Sequence, residues 1–352
     1  MKTWCLLCLT GLLTVFVIPG CSKSANTEVI QPPHVKAVYA AGYYNIAGKT
    51  YTTLWKDGRA TVFDSSAVPM DMFVNGADLY ISGIKNSKAF YWKNGIATQL
   101  NTAPAYGYVI ANSVSVSGTD VHIAGMAEES VTYRKQAIYW KNNIPVMLNA
   151  GSNTENSYAQ SVGISGSDVY VAGYKTITGG GTAVVLWKNG IATDLISSSS
   201  VDYGNINLFV SGSDVYVTCY EYNFPATEQI RLWKNGIPVS FPSSTLGAVP
   251  YCLFVNGSDV YIGGFEREGT PSNTNAVPRY WKNGIAVSLG DSPNGADIVR
   301  SIYVDGTDVY AGGTIGSTMS ASNPVVWKNA VTYTLTGTVA NPYGEITTVF
   351  VK

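Results

Sequence analysis

The chain has 352 residues, a formal net charge of -1 and 13% charged residues, about half of the roughly 25% found in ordinary globular proteins. No run or stripe of Lys and Arg appears, so the sequence lacks the electrostatic footprint of a nucleic-acid-binding surface. Ser, Thr, Asn and 24 tyrosines supply the polar surface instead, and Tyr with abundant Val suits pleated sheet.

The first element along the chain is a leader. Lys2 is followed by an apolar run from Trp4 to Ile18, too short to span a bilayer comfortably and suited to a signal-peptide core. The run ends in Ile18-Pro19-Gly20-Cys21, which resembles the lipobox of bacterial lipoproteins. The resemblance implies cleavage before Cys21 and acylation of that cysteine, and more than one acyl chain would give a stable anchor. Ser22, in place of Asp, implies passage to the outer membrane under the enterobacterial rule, with the body on its periplasmic or exposed side. Residues 1–20 are therefore expected to be a signal peptide and residues 21–35 a lipidated cysteine and tether. Within the tether, Ser22 to Pro33 is polar, aperiodic and closed by Pro32-Pro33. It would reach at most about 40 Å.

The body, residues 36–352, is a repeat. Trp-Lys-Asn-Gly stands at Trp92–Gly95, Trp187–Gly190, Trp233–Gly236 and Trp281–Gly284, with variants at Trp55–Gly58, Trp140–Asn143 and Trp327–Ala330. Seven copies at a nearly constant period mark a repeat architecture. A second phrase precedes six of the tryptophans, as in Val74-Asn-Gly-Ala-Asp-Leu-Tyr-Ile81 and Ile164-Ser-Gly-Ser-Asp-Val-Tyr-Val171. It reads as two strands, A and B, joined by a primed turn at the Gly-containing pair. Strand C runs into the Trp, Asn-Gly makes a type I′ turn, and strand D follows, as in Ile191–Leu195.

Such four-stranded antiparallel units stack radially into a β-propeller. The N-terminal piece from Val38 lacks a strand A, and Ile346–Lys352 matches a strand A with nothing after it. The expectation is an all-β, seven-bladed propeller whose C-terminal strand completes the N-terminal blade and hides the ring's edges.

The Trp of strand C is expected to fill the gap between neighbouring sheets, and the small pair ending strand B (Ala172-Gly173, Gly263-Gly264, Gly312-Gly313) to permit close approach. That diglycine followed by an aromatic resembles the kelch repeat, which implies a propeller fold. The recurrent Asp (78, 120, 168, 214, 259, 308) is expected to bond turn backbone rather than build a calcium ring. At the chain break its place is taken by Ala37. Cys219 and Cys252 fall in adjacent blades toward one face, either as a disulfide of an exported protein or as two buried thiols.

The A–B and C–D turns share one face and are short and uniform. The B–C and D–A segments share the other and differ in every blade, as in Glu128–Gln136, Glu266–Pro278 and Ile315–Asn323. Loops on a rigid scaffold carry recognition, although loops also drift. The D–A segments rim the channel with Tyr106, Tyr108, Tyr158, Tyr203, Asn205, Asn207, Tyr251, Asp297 and Arg300, tyrosine suiting both packing and sugar or peptide contact.

No Cys/His metal spacing, Ser elbow or phosphate loop is present, and no cofactor is implied. His34 lies in the tether, and His122 replaces the Tyr of the repeat. The leading expectation is a monomeric, membrane-anchored binding or scaffolding module contacting a glycan or protein. The alternative is an exported carbohydrate-active enzyme, with carboxylates such as Glu128, Glu221, Glu266 and Asp297 meeting at the channel mouth. A purely structural envelope part would show apolar residues on the outer blade edges.

Overall fold

The computed structural model describes residues 36–151, 154–222, 228–242, 244–270, 273–290, 297–316, 322–336 and 343–352. The leader, Cys21, the tether and His34 lie outside the described residues. Lys36–Lys352 forms one compact unit.

Seven sheets of four antiparallel strands form the chain's seven-bladed β-propeller. The first blade joins the two ends of the body. Tyr343–Val351 is its innermost strand, followed outward by Val38–Ile46, Lys49–Lys56 and Arg59–Ser65. The pairing runs from Val38 opposite Val351 to Asn45 opposite Tyr343. Ala37 and Lys352 exchange backbone hydrogen bonds at 2.6 and 2.9 Å. The other six blades follow in chain order, each beginning with its strand A: Ala67–Asn75, Tyr106–Ser117, Thr154–Ser165, Asp202–Ser211, Ala248–Asn256 and Ile298–Asp305.

Both turn types follow from their residues. In the A–B turns the first central residue is Gly at φ near 60° (57° at Gly76, 61° at Gly257), and the next residue is not left-handed, the pattern of type II′. In the C–D turns both central residues are left-handed, as at Asn94 (51°) and Gly95 (82°). This is the type I′ turn that Asn-Gly favours. Asn142-Asn143 and Asn329-Ala330 adopt the same turn without its glycine.

The recurrent Asp does its work through side chains, not through the Asx bond expected. Asp78 Oδ1 accepts from Asn94 Nδ2 at 2.8 Å, and its Oδ2 pairs with Lys93 Nζ at 2.8 Å. Asn94 Oδ1 then accepts the Leu79 N–H at 2.8 Å. The Lys93 ammonium lies 5.3 Å from the Tyr80 ring centre. Asp, Lys and Asn of the two phrases thus form one clasp over the tip of blade 2. It recurs at Asp120–Lys141, Asp168–Lys188, Asp214–Lys234, Asp259–Lys282 and Asp308–Lys328. The Lys and Asn partners hold each of these carboxyls below the usual carboxylate range.

The tryptophans lie between blades, 0 to 5% exposed. Trp140 packs with Tyr80, Ala89 and Leu100 of the preceding blade and donates its indole N–H to Asn101 O at 2.7 Å. Trp187 repeats this with Asn149 O at 2.8 Å.

Every strand A carries a β-bulge, and the bulges line up around the axis. The extra residues are Met70, Asn112, Gln160, Tyr251, Arg300 and Thr347, while in blade 5 Asn205 and Ile206 stand against the single Cys219. A bulge aims the preceding carbonyl at strand B, where only glycine leaves room. A Cβ on Gly125 would meet Ile110 O at 1.9 Å, and one on Gly173 would meet Tyr158 O at 1.8 Å. Gly42, Gly83, Gly264 and Gly313 are in the same position. The close approach expected of the small pairs is this one.

Candidate functional site

The seven strands A leave their inner backbone edges facing a central channel of about 560 Å3. Unpaired edge groups are costly when enclosed, and neighbouring blades cap them. The residue after each bulge is small and polar: Asp71, Ser113, Ser161, Asn207, Cys252, Ser301 and Thr348. Asp71 Oδ2 accepts the Val114 N–H (3.1 Å), Ser113 Oγ accepts that of Val162 (3.2 Å) and Ser301 Oγ that of Val349 (2.9 Å). Asn112 Nδ2 donates to Ala159 O at 2.8 Å, and Gln160 Oε1 accepts the Ile206 N–H at 2.7 Å. Enclosure raises the Asp71 pKa, against three hydrogen bonds to its carboxylate. Much of the channel's polarity is therefore structural.

Cys252 belongs to this polar ring, and Cys219 sits in the glycine position of blade 5. Both are free thiols, with burial pushing each well above the usual thiol range. The disulfide alternative does not hold.

The ends of the channel differ. Toward the uniform turns, Phe209, Phe254, Tyr303 and Phe350 form a collar from blade to blade, with ring centres 4.7, 4.9 and 4.5 Å apart. Above the collar, Tyr251 and Arg300 line the wall. The Arg300 guanidinium lies 4.3 Å over the Tyr251 ring, and its Nε is 3.3 Å from Glu345 Oε2. Tyr43, opposite Glu345 in the sheet, meets Tyr343 edge-on at 6.3 Å. Burial, then the Glu345 charge, raises the Tyr43 pKa and keeps its hydroxyl protonated.

On the far side Tyr158 stacks on Tyr174 at 4.4 Å and 12°. Tyr220 and Tyr251 both pack against one cluster, Val249, Phe265 and Ile298. An arc of tyrosines thus runs from blade 4 through blades 5 and 6 to the Arg300–Glu345 pair of blades 7 and 1.

Of the expected site residues, Tyr251 and Arg300 are brought together and, with Asn207, line the channel, while Tyr158 stacks on Tyr174 within blade 4. Tyr106 bonds Gln136 Oε1 at 3.3 Å in blade 3, and Tyr108 beside it is 37% exposed. Tyr203 is buried packing, its hydroxyl pushed up to about 12 by that burial and by Glu221. Asp297 is buried and accepts the Gly316 N–H at 2.7 Å. Asn205 supplies backbone, at φ 51°. Tyr43, Tyr174, Tyr220, Tyr343 and Glu345 were not expected. They occupy ordinary strand positions, and only the register across blades gathers them.

The carboxylates expected at the mouth are engaged elsewhere. Glu128 pairs with Lys135 (3.7 Å), Glu221 with Arg231 (2.6 Å) and Glu266 with Arg279 (3.3 Å). The segment Glu266–Pro278, expected as a loop, is mostly strand: pairing continues out to Thr270 opposite Asn273. The outer edges show one exposed aliphatic per blade at the start of strand D in six blades, such as Ile96 and Ile191, each 74% exposed. Val146 and Met147 in blade 3 and Val239 in blade 5 are exposed on the same strands.

The fold and this mouth define a closed propeller with a capped polar channel, one clasped face and one tyrosine-rimmed face. No protein-family model matches the sequence, and no curated protein matches it significantly. Solved structures to which the chain is similar include a Mycobacterium tuberculosis puromycin-hydrolyzing peptidase, at TM-score 0.51 and 13% identity over 86% of this chain and 54% of that one. A thermostable family-43 glycoside hydrolase is similar at TM-score 0.42 and 10% identity, over 63% and 92% of the two chains. Trypanosoma rangeli sialidase in complex with sialic acid is similar at TM-score 0.46 and 10% identity, over 83% and 55%. The chain spans about half the length of the peptidase and of the sialidase. At these identities the likeness concerns fold alone.

Proposed function

We propose that the protein is a glycan-binding module, held at the cell envelope through Cys21, which takes its ligand at the tyrosine-rimmed mouth. The carrying observation is the arc from the stacked Tyr158 and Tyr174 to Tyr220 and Tyr251, which share one packed cluster. Flat rings with a polar edge suit sugar faces and hydroxyls together. The channel volume of about 560 Å3 lies in the range of ordinary ligand sites, about 300–1,000 Å3. The ion pairing of Glu128, Glu221 and Glu266 favours binding over hydrolysis, because each carboxylate is held by a cation on a neighbouring strand. A glycan array probed with the full chain in detergent tests the reading. Binding that Tyr174→Ala weakens at least tenfold is expected, and no glycan above background contradicts it.

A further inference from the structure

Seven bulges present seven side-chain positions to one channel, and most have a structural task. Asn112 and Gln160 cap backbone of the next blade, and Thr347 Oγ1 donates to Ala41 O at 3.2 Å. In blade 5 the bulge residues serve through their backbones, as in the bond from Asn207 Nδ2 to Asn205 O at 2.9 Å. Tyr251 and Arg300, in adjacent blades, cap no backbone of a neighbouring blade among the described residues. The capping task in blade 7 is already performed by Ser301, whose Oγ accepts the Val349 N–H.

Arg300 is therefore held in place for something other than the ring's own integrity. Tyr251 supports one face of the guanidinium at 4.3 Å. Glu345 stands at the Nε edge at 3.3 Å, without the alignment of a hydrogen bond, for Arg300 Nε is buried without a hydrogen-bond partner. Among the described residues no hydrogen bond engages the terminal nitrogens. A guanidinium fixed on one face and one edge presents its remaining planar edge as a fork, the geometry that receives a carboxylate through two parallel N–H···O bonds. Tyr43 and Tyr343 stand beside Glu345 with aromatic surface and hydroxyls.

We propose that Arg300 reads a carboxylate on the ligand, so that the mouth selects uronic-acid-type acidic glycans over neutral ones. This rests on the glycan-binding reading above. The ligand's carboxylate docks on the free edge of Arg300, with its sugar ring against the tyrosine arc. Glu345 orients the arginine and also competes with the ligand for it. Removing the arginine and removing its competitor should therefore act in opposite directions.

The test is titration calorimetry of the full chain in detergent at low salt. The probes are tetrasaccharides of galacturonate, mannuronate and hyaluronan, each beside its carboxyl-reduced counterpart, with one sulfated neutral tetrasaccharide. At least one acidic member should bind ten times more tightly than its reduced partner. In Arg300→Gln that ratio should fall below about two. In Glu345→Gln, which leaves the arginine in place, the acidic member should bind at least three times more tightly than to the unmodified chain. Thermal melts of both variants confirm that they are folded.

Equal binding of acidic and reduced members, with both lost in Tyr174→Ala, overturns the carboxylate proposal and leaves the glycan reading standing. Preference for the sulfated probe over every carboxylate also overturns it, as does an unchanged ratio in Arg300→Gln. Binding of no saccharide at all overturns both readings.

Discussion

Cys219 stands where the other blades carry glycine, and Asn205, across the sheet from it, takes the left-handed φ of 51° that makes room for it. Elsewhere the bulge carbonyl points straight at the glycine. In blade 5 two residues, Asn205 and Ile206, stand against Cys219, and Asn205 is left-handed where the other bulges are not. Replacing a glycine without that change of bulge conformation should be severe. Gly173→Ala puts a Cβ at 1.8 Å from Tyr158 O and should cost about 3 kcal/mol, the upper range of overpacking, read from denaturant midpoints. Cys219→Gly should cost far less, because it removes bulk rather than adding it.

Ala330 pays a conformational penalty that glycine at the same turn position does not. It holds φ 64° in the C–D turn of blade 7, where Gly95 and Gly190 stand in theirs. A left-handed Ala costs roughly 1–2 kcal/mol, and Gly returns roughly 0.4–1 kcal/mol as unfolded-chain entropy. Ala330→Gly should therefore stabilise by about 0.5–1 kcal/mol in equilibrium unfolding.

Blade 1 tests the clasp. It has Ala37 in the aspartate position and Asp57 in the asparagine position, with Asp57 Oδ1 accepting the Val38 N–H at 2.9 Å. A carboxylate carries no N–H and so needs no acceptor, which makes the two departures one change. Ala37→Asp alone would set two carboxylates together and lower the melting temperature. With Asp57→Asn added, the clasp of the other blades is rebuilt and the loss should be reversed. Additive effects in that double-mutant cycle would contradict the coupling.

Stability should fall with acid in two separate windows. His122 is buried, its Nδ1 lies 2.6 Å from the Tyr139 hydroxyl, and burial lowers its pKa below the ordinary 6.5. A lowered histidine pKa means the unfolded chain binds more protons just below 6.5, so stability is lost as pH falls from there. The six clasp aspartates are lowered from 3.8 by their Lys partners first and Asn second. Their contribution is present above about pH 4 and is lost below it. His122→Tyr, which restores the repeat's residue, should remove the upper step and leave the lower one in melts from pH 8 to 3.

Much of this was legible in the sequence. Blade number follows from the seven Trp phrases and ring closure from the strand A that Val38 lacks and Ile346–Lys352 supplies, while the turns follow from Gly and Asn, which local backbone angles require. The diglycine signalled close approach, but the bulge above it did not show, since a bulge is a mismatch between two strands and leaves no mark in one. The clasp escaped because Asp78 meets Asn94 across a hairpin, so the expected local bond to backbone was replaced by a cross-strand one. At the mouth, Tyr251 and Arg300 could be picked because the D–A segments that carry them lead into the innermost strands. Tyr43, Tyr174 and Glu345 could not, for their importance lies in which blade stands next to which.

The central claim is that ligand binds at the tyrosine-rimmed mouth and not on the clasped face. Hydrogen exchange of the full chain with and without a saturating bound glycan tests it most directly. The account predicts slowed exchange in the first turns of chain at Ala248–Cys252, Ile298–Ser301 and Tyr343–Thr347, and none at the Asn-Gly turns near Asn94 and Asn189. Protection at those turns, with the mouth strands unchanged, would contradict it.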